Sequence, residues 1–230
     1  MRAILIGLAA LSLAAAARAE PTGAVIPAAI TPSASRAFYS CAIWTDLNAR
    51  PRYTPEAAAL KGASGVRRRG DHLWVDGIDN LNITTSDPIE TEWSQYIGRL
   101  TNSPVDVVLV HPYEGLQWVL IDRVWRLSIN ARGLPAASPD GLRLATAASD
   151  PALDKTGVHL FQRSRDGFLE LHGAVDARYP CDLNWVSNDR LEFKVALPEP
   201  DGAPPSRWRP AALVRLNGRW TYQPPPEERR

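Results

Sequence analysis

Residues 138–148 read Ser-Pro-Asp-Gly-Leu-Arg-Leu-Ala-Thr-Ala-Ala and residues 157–163 read Gly-Val-His-Leu-Phe-Gln-Arg, and these two stretches decide the fold. The first begins with a turn sequence, since proline, aspartate and glycine each favour turn geometry. The second alternates apolar and polar residues, as a strand with one buried face does, and Asp166-Gly167 follows it as another turn. The pattern therefore predicts antiparallel strands joined by tight turns.

The same pattern extends in both directions from this region. Further strands are predicted at Phe38–Trp44, Leu73–Val75, Leu81–Thr85, Val105–Val110, Leu116–Ile121, Val124–Asn130, Phe168–His172, Asp182–Val186, Leu191–Leu197, Leu213–Leu216 and Arg219–Tyr222. Asn217-Gly218, between the last two, is a strong two-residue hairpin signal. Ile89–Leu100 fits either a strand or a short helix. Short strands with a turn roughly every 8–12 residues indicate an all-β, mostly antiparallel fold.

One short N-terminal helix is the exception to the β pattern. Thr54 is suited to cap it, Pro55 to occupy its first position, and Gly62 to end it, with the helix formers Glu56–Leu60 between them.

The N-terminus has the pattern of a secretory signal peptide. A basic Arg2 is followed by the apolar run Ala3–Ala17 and by the small residues Ala17 and Ala19 around Arg18. We expect cleavage between Ala19 and Glu20 and a periplasmic or secreted mature chain of about 211 residues. The alternative is a membrane anchor, but a spanning helix needs roughly 20 apolar residues and this run has about 15.

The mature chain is predicted to form one domain with extended ends. Residues 20–36 contain prolines and read as a flexible arm, residues 37–222 as a single β-rich domain, and residues 223–230 as a flexible tail. No later segment approaches spanning length, so we expect no membrane insertion after cleavage of the signal.

Charge and composition argue against a nucleic-acid-binding protein and against a disordered chain. The formal net charge is +1 and falls to about −1 without Arg2 and Arg18, whereas nucleic-acid binding requires a strongly basic domain. The local exception, Arg67–Arg69, reads as a solvated loop. Eight tryptophans and 45% apolar residues are incompatible with a disordered chain.

The two cysteines, Cys41 and Cys181, most simply form one disulfide in an oxidising compartment. The bridge would close a loop of about 140 residues, for which chain entropy gives a stabilisation of up to about 4–5 kcal/mol. Two buried free thiols are the alternative.

The stretch Ser138–Ala145 resembles the Ser-Pro-Asp-Gly-x-x-Leu-Ala core of TolB-type β-propeller repeats, and Gly157–Phe161 is similar to the strand that follows in that family. The resemblance implies blade-like sheets. Only one copy of the turn is present and residues 37–123 show no matching period, so we expect an irregular or incomplete propeller, with a β-sandwich as the alternative. The whole chain resembles uncharacterised secreted β-rich proteins of Gram-negative bacteria, which implies no specific activity.

The sequence predicts neither a metal site nor a cofactor. His72, His111, His159 and His172 have no metal-ligand spacing. Asp76–Asn82 groups oxygen atoms that calcium favours, but it lacks the residue order of a known calcium loop, and turn chemistry explains it better.

Aromatic residues are the remaining candidates for function. Tryptophans lie on or beside most predicted strands: Trp74, Trp93, Trp118, Trp125, Trp185, Trp208 and Trp220. Most should be core. Trp118, which follows a turn containing Tyr113, is the first candidate for an exposed ring that binds a partner.

Two functions follow as hypotheses. The first is a non-enzymatic protein that binds another envelope component, most simply a protein. The alternative is a secreted hydrolase acting on envelope glycan or peptide. A shallow aromatic patch would favour binding, and two convergent acidic groups in a deep cleft would favour hydrolysis.

Overall fold

The computed structural model describes residues 25–46, 51–70, 72–76, 93–111, 117–148, 157–172, 179–197, 199 and 205–225. Most of them lie in antiparallel strands, so the prediction of an all-β, mostly antiparallel fold is confirmed. Within these ranges no helix is long and apolar enough to cross a membrane.

The N-terminal part contains short elements. They are β1 (Val25–Ile26), β2 (Ala29–Ile30), α1 (Pro32–Phe38), the 3-10 helix η1 (Cys41–Trp44), β3 (Arg52–Tyr53), α2 (Glu56–Lys61), β4 (Val66–Arg69) and β5 (His72–Val75). β1 pairs with β3 in parallel, and β4 pairs with β5 as an antiparallel hairpin.

Three four-strand meanders follow. Sheet 1 is β6 (Trp93–Leu100), β7 (Val105–His111), β8 (Gln117–Asp122) and β9 (Leu127–Ala131). Sheet 2 is β10 (Ala136–Ala137), β11 (Arg143–Ala148), β12 (Gly157–Ser164) and β13 (Gly167–His172). Sheet 3 is β14 (Cys181–Ser187), β15 (Arg190–Ala196), β16 (Trp208–Leu216) and β17 (Arg219–Gln223). In each sheet every strand pairs with the next in sequence, and β2 extends sheet 1 by a parallel strand beside β6.

Apolar layers separate the sheets. The layer between sheets 1 and 2 includes Val107, Leu120 and Leu144. The layer between sheets 2 and 3 includes Leu160, Phe193 and Leu213. A third layer, between sheet 1 and the β4–β5 hairpin with α2, includes Leu73, Val108 and Ile121. Because side chains alternate along a strand, neighbours such as Val107 and Val108 enter different layers. Sheets 1 and 2 therefore carry packed apolar residues on both faces.

The turn at residues 138–142 brings sheet 2 close to sheet 1. Gly141 has φ +69°, and a Cβ there would lie 1.8 Å from the carbonyl oxygen of Asn102 in the β6–β7 turn. Ser103 Oγ donates to the carbonyl of Gly141 at 3.0 Å. The position accepts only glycine because a side chain would strain the backbone and collide with the neighbouring sheet.

Inside this turn, Asp140 is held by several donors. Its Oδ1 lies 2.5 Å from Ser138 Oγ and accepts the N–H of Leu142 at 3.0 Å. Partial burial opposes ionisation, but these hydrogen bonds and Arg143 lower the pKa of the Asp140 carboxyl below its usual value. The predicted Pro-Asp-Gly turn thus joins β10 to β11.

A buried ion pair fastens the same junction. Arg163 Nε lies 2.7 Å from Asp122 Oδ2, with side chains 4% and 1% exposed. Asp122 Oδ1 also accepts the N–H groups of Val124 and Trp125. Arg163 Nη1 donates to the carbonyl of Gly141 at 2.9 Å, and its guanidinium lies 4.8 Å from the centre of the Trp125 ring. Both charges are therefore satisfied although water is excluded.

The Cys41–Cys181 disulfide is present and joins η1 to β14. Beside it, the N–H of Asp182 donates to the carbonyl of Tyr39 at 2.6 Å. The buried Tyr39 hydroxyl donates to Leu134 O at 2.5 Å and accepts the N–H of Ala147 at 3.1 Å. These contacts hold the α1–η1 segment against sheets 2 and 3.

Two N-terminal predictions are wrong. Residues 25–36 of the expected flexible arm form β1, β2 and most of α1, because Ile26 and Ile30 are fully buried in the core. Residues 38–44, expected as a strand, are the end of α1 and η1. Thr31 accepts the N–H of Ala34 as an N-cap and proline begins the helix, which starts it upstream of the expected strand.

The structure also corrects the predicted loop at Arg67–Arg69 and the predicted cap of α2, and it assigns the ambiguous segment before residue 101. Arg67–Arg69 is not a loop but part of β4, since Val66 and Arg68 face the core side of the hairpin. Thr54 does not cap α2, because its hydroxyl donates to Ile26 O. The ambiguous region resolves as the strand β6 over its described part. The signal peptide, Leu81–Thr85 and residues 226–230 lie outside the described residues.

Replacing both cysteines by serine, as Cys41→Ser with Cys181→Ser, is expected to lower the free energy of unfolding by up to about 4–5 kcal/mol, because the unfolded chain regains the entropy of a large loop. Urea unfolding of both proteins measures this, with intact mass after thiol alkylation as the control for the bridge. If the double variant had the same urea midpoint as the wild type, the predicted stabilisation by the disulfide would be contradicted.

Asp122→Asn is expected to destabilise the protein by about 3–5 kcal/mol, because it leaves the buried Arg163 guanidinium without its counter-charge. Thermal and urea unfolding followed by tryptophan fluorescence measure the change. Asp166→Asn, in the exposed β12–β13 turn, is the matched control, and equal losses in the two variants would refute the role of the pair.

Candidate functional site

The outer face of sheet 3 carries an open groove of about 400 Å³, named here the outer groove. It crosses all four strands of the sheet. Its polar lining consists of Arg36, Asp182, Asn184, Arg190, Glu192, Lys194 and Gln223. Arg36 comes from α1 and the others from sheet 3, so the groove depends on how α1 is fixed beside β14.

Strand alternation places these side chains outward. Leu191 faces the core shared with sheet 2, whereas Arg190, Glu192 and Lys194 on the other face of β15 line the groove. The register aligns Glu192 with Ala212 on β16 and Ala212 with Gln223 on β17. Ala212 is small, so the charged row on β15 and the amide of Gln223 border a shallow depression.

A bulge shapes the β14 side of the groove. The pairing of β14 with β15 shifts between Cys181 and Asn184, and Asp182 between them has φ +53°. The disulfide at Cys181 and the hydrogen bond from Asp182 to Tyr39 hold this irregular backbone. Bulges re-aim side chains and commonly lie beside functional sites.

The groove has more positive than negative charge. Lys194 Nζ lies 2.8 Å from Asp182 Oδ2, and Arg190 Nε lies 2.7 Å from Glu192 Oε1. Arg36 lines the same groove, is exposed, and forms no ion pair within the described part of the chain. One cation is therefore available for an anionic group on a ligand.

A second cavity of about 260 Å³, named here the Trp185 cavity, adjoins the groove. Asn184 lines both, and its side chain makes no hydrogen bond to any described residue. Pro32, Pro139 and Trp185 give the cavity apolar walls. Trp185 Nε1 donates to Ala136 O at 2.8 Å, which fixes the indole ring. The two depressions together offer a rigid aromatic wall, a free amide and a free cation.

The acidic side chains of the outer groove occur in ion pairs. Both carboxylates of the groove, on Asp182 and Glu192, are engaged by a cation. Among the described residues no group of three or more His, Cys, Asp or Glu side chains is placed to hold a metal ion. His159 Nδ1 lies 3.0 Å from Glu170 Oε1 on the neighbouring strand, away from both cavities.

The structure does not place Trp118 at the surface. Its side chain is 4% exposed and lies in the core between sheets 1 and 2, edge-on to Phe38 and Tyr53. Trp118 is therefore a core residue, because α1 and β3 cover the ring that the strand pattern left open. Tyr113 lies outside the described residues.

Sequence reasoning missed Arg36 and Asn184 as binding residues. Arg36 lay in the expected flexible arm, and only tertiary contacts bring α1 to sheet 3. The strand pattern did place Asn184 on β14, but nothing in the sequence shows that its amide is left without a partner.

Comparison with protein-family models, with curated protein sequences and with solved structures found no match to this chain.

Trp118→Ala is expected to lower the free energy of unfolding by about 3–5 kcal/mol, the usual loss for removing a large buried ring. Chemical unfolding measures this. Trp93→Ala, where the ring is 39% exposed, is the matched control and should lose much less. A small loss at Trp118 would contradict its assignment to the core.

Proposed function

We propose that this chain is a non-enzymatic binding protein, periplasmic or secreted, that docks on another envelope protein through the outer groove and the Trp185 cavity. The observation that carries the proposal is the open outer face of sheet 3, where Arg36 has no described counter-ion. The other two large sheets have apolar residues packed on both faces.

The location rests on two features. The N-terminal sequence has the pattern of a cleavable export signal. The Cys41–Cys181 disulfide agrees with an oxidising compartment, since such bridges are rare in the cytosol. A partner in the envelope would meet the protein there.

The chemistry of the site favours an extended acidic segment of the partner. A carboxylate would pair with Arg36, and backbone groups would hydrogen-bond to the amides of Asn184 and Gln223. An apolar side chain or a proline would enter the Trp185 cavity, because a fixed indole ring offers contact area with little loss of side-chain entropy.

A blade-like architecture fits this proposal. The three consecutive four-strand meanders are stacked face to face, as successive blades of a propeller are, and the turn at residues 138–142 joins two strands within one of them. An incomplete propeller leaves the outer face of its last blade uncovered. The resemblance to TolB-type repeats supports the same architecture.

The hydrolase alternative receives no support from the described residues. It requires two convergent acidic groups with one carboxyl protonated or poised as a base. In the outer groove each carboxylate is paired with its own cation instead.

Site-specific photocrosslinking tests the proposal. A benzoylphenylalanine residue at position 223 is expected to crosslink one dominant envelope protein in intact cells, and the same residue at position 165, in the exposed β12–β13 turn, is expected not to. Arg36→Glu should reduce the crosslink by about tenfold or more, because it replaces attraction by repulsion. Arg165→Glu is the matched control.

Three results would overturn the proposal. The first is that position 223 gives no crosslink at native abundance. The second is that positions 223 and 165 crosslink equally, and the third is that Arg36→Glu leaves the crosslink unchanged. Thermal unfolding of each variant shows that a lost crosslink reflects the surface and not the fold.

A further inference from the structure

A further cavity, of about 490 Å³, lies at the end of the stack opposite the outer groove, between α2, β2 and β6. Small side chains form its walls, including Ala28 before β2 and Ala59 and Ala63 around α2. Its volume is in the range of roughly 300–1,000 Å³ typical of small-molecule sites. It is named here the α2 cavity.

The backbone holds this cavity open. The N–H of Arg99 donates to Ala28 O at 2.8 Å and the N–H of Thr101 donates to Ile30 O at 3.0 Å, which fixes the β2 wall beside β6. Gly98 permits this close approach, since a Cβ there would lie 2.0 Å from Ala28 O. The α2 wall ends at Gly62, where a Cβ would meet only Ala59 O at 4.0 Å.

The polar residues that line the cavity are Tyr96, Arg99 and Thr101, and the first two share the buried carboxylate of Asp106. Tyr96 Oη donates to Asp106 Oδ1 at 2.8 Å and Arg99 Nε donates to the same oxygen at 2.9 Å. Arg123 Nε lies 3.4 Å from Asp106 Oδ2. Burial raises the pKa of the Asp106 carboxyl, and the donors Arg99 and Tyr96 oppose this.

Two guanidinium groups thus face one carboxylate. Arg99 and Arg123 also both donate to the carbonyl of Ser64, which is neutral. The neighbouring Asp76 is 3.5 Å from Arg67 and has its own cation. Among the described residues, one positive charge beside the cavity is therefore in excess.

Arg99 is the cation that a ligand can reach. It lines the α2 cavity and its side chain is 34% exposed, compared with 19% for Arg123. Its Nη1 makes no hydrogen bond to any described residue, so two N–H donors are available. A planar guanidinium with free donors matches a carboxylate in geometry and charge.

We propose that the α2 cavity binds a small amphipathic monoanion, a carboxylic acid with an aliphatic body, whose carboxylate contacts Arg99 and whose chain lies against Ala28, Ala29 and Ala63. The apolar walls favour the chain by the hydrophobic effect, and the excess positive charge selects the anion. This site is separate from the outer groove and does not depend on the protein partner proposed above.

Octanoate is the probe for this proposal, measured by isothermal titration calorimetry on the purified protein, with 1-octanol as the uncharged control. Octanoate should bind more tightly than 1-octanol by about tenfold or more, the usual value of a charge-assisted hydrogen bond. Arg99→Gln should reduce octanoate binding to the level of 1-octanol and leave 1-octanol binding unchanged.

Gly62→Leu tests the cavity without touching the charged network. Gly62 has φ −92° and open space beside it, so the new side chain should fill the cavity, leave the fold intact, and abolish binding of both probes. Ala58→Leu, exposed on the same helix and outside the cavity lining, is the matched control and should bind octanoate as the wild type does.

The proposal is overturned if the wild-type protein does not bind octanoate, if 1-octanol binds equally well, or if Gly62→Leu binds like Ala58→Leu. The Gly62→Leu comparison remains decisive even if Arg99→Gln fails to fold. None of these results bears on crosslinking at the outer groove, so the two proposals fail independently.

Discussion

The buried ion pair between Asp122 and Arg163 is the constraint on which the stack of sheets depends. It joins the end of β8 in sheet 1 to the end of β12 in sheet 2, and Arg163 also reaches the carbonyl of Gly141 in the adjoining turn. Charges without water are tolerated only when their partners are fully supplied, and here both backbone and side-chain groups supply them. The ion pair therefore favours one alignment of sheet 1 against sheet 2, since any shift would leave a buried charge without its partner.

The disulfide beside α1 fixes this helix against the last sheet and thereby completes the lining of the outer groove. Without α1 the outer face of sheet 3 would be an open sheet with paired charges. The bridge at Cys181 and the contacts of Tyr39 hold α1 beside β14, which adds Arg36 to the groove. The same helix contributes Pro32 to the Trp185 cavity. One covalent link thus contributes both to stability and to the composition of the site.

The two ends of the stack use charge in the same way. At the outer groove, two cations are in ion pairs and Arg36 has no counter-ion among the described residues. At the α2 cavity, the guanidinium groups of Arg99 and Arg123 both pair with the carboxylate of Asp106. In both places the surplus cation lies beside an apolar surface, where lower dielectric strengthens its attraction for an anion. The outer groove is lined mainly by charged and amide side chains on an open sheet face, whereas the α2 cavity is lined mainly by alanines and has a volume typical of small-molecule sites.

The amino-acid sequence was sufficient to predict most strands of the three sheets and several of their turns, and it made a Cys41–Cys181 disulfide the simplest expectation. Alternation and turn chemistry are local properties, so β11, β12 and the turn between residues 138 and 142 could be read directly, and two cysteines have only one possible pairing with each other. Only the tertiary structure decided the rest. Ser35 donates to Pro135 O across 100 residues, and such long-range contacts turn the expected arm into α1, bury Trp118 and bring Arg36 to sheet 3. Burial of a side chain and the pairing of a charge are set by what packs on them, and a residue's neighbours along the chain do not specify this.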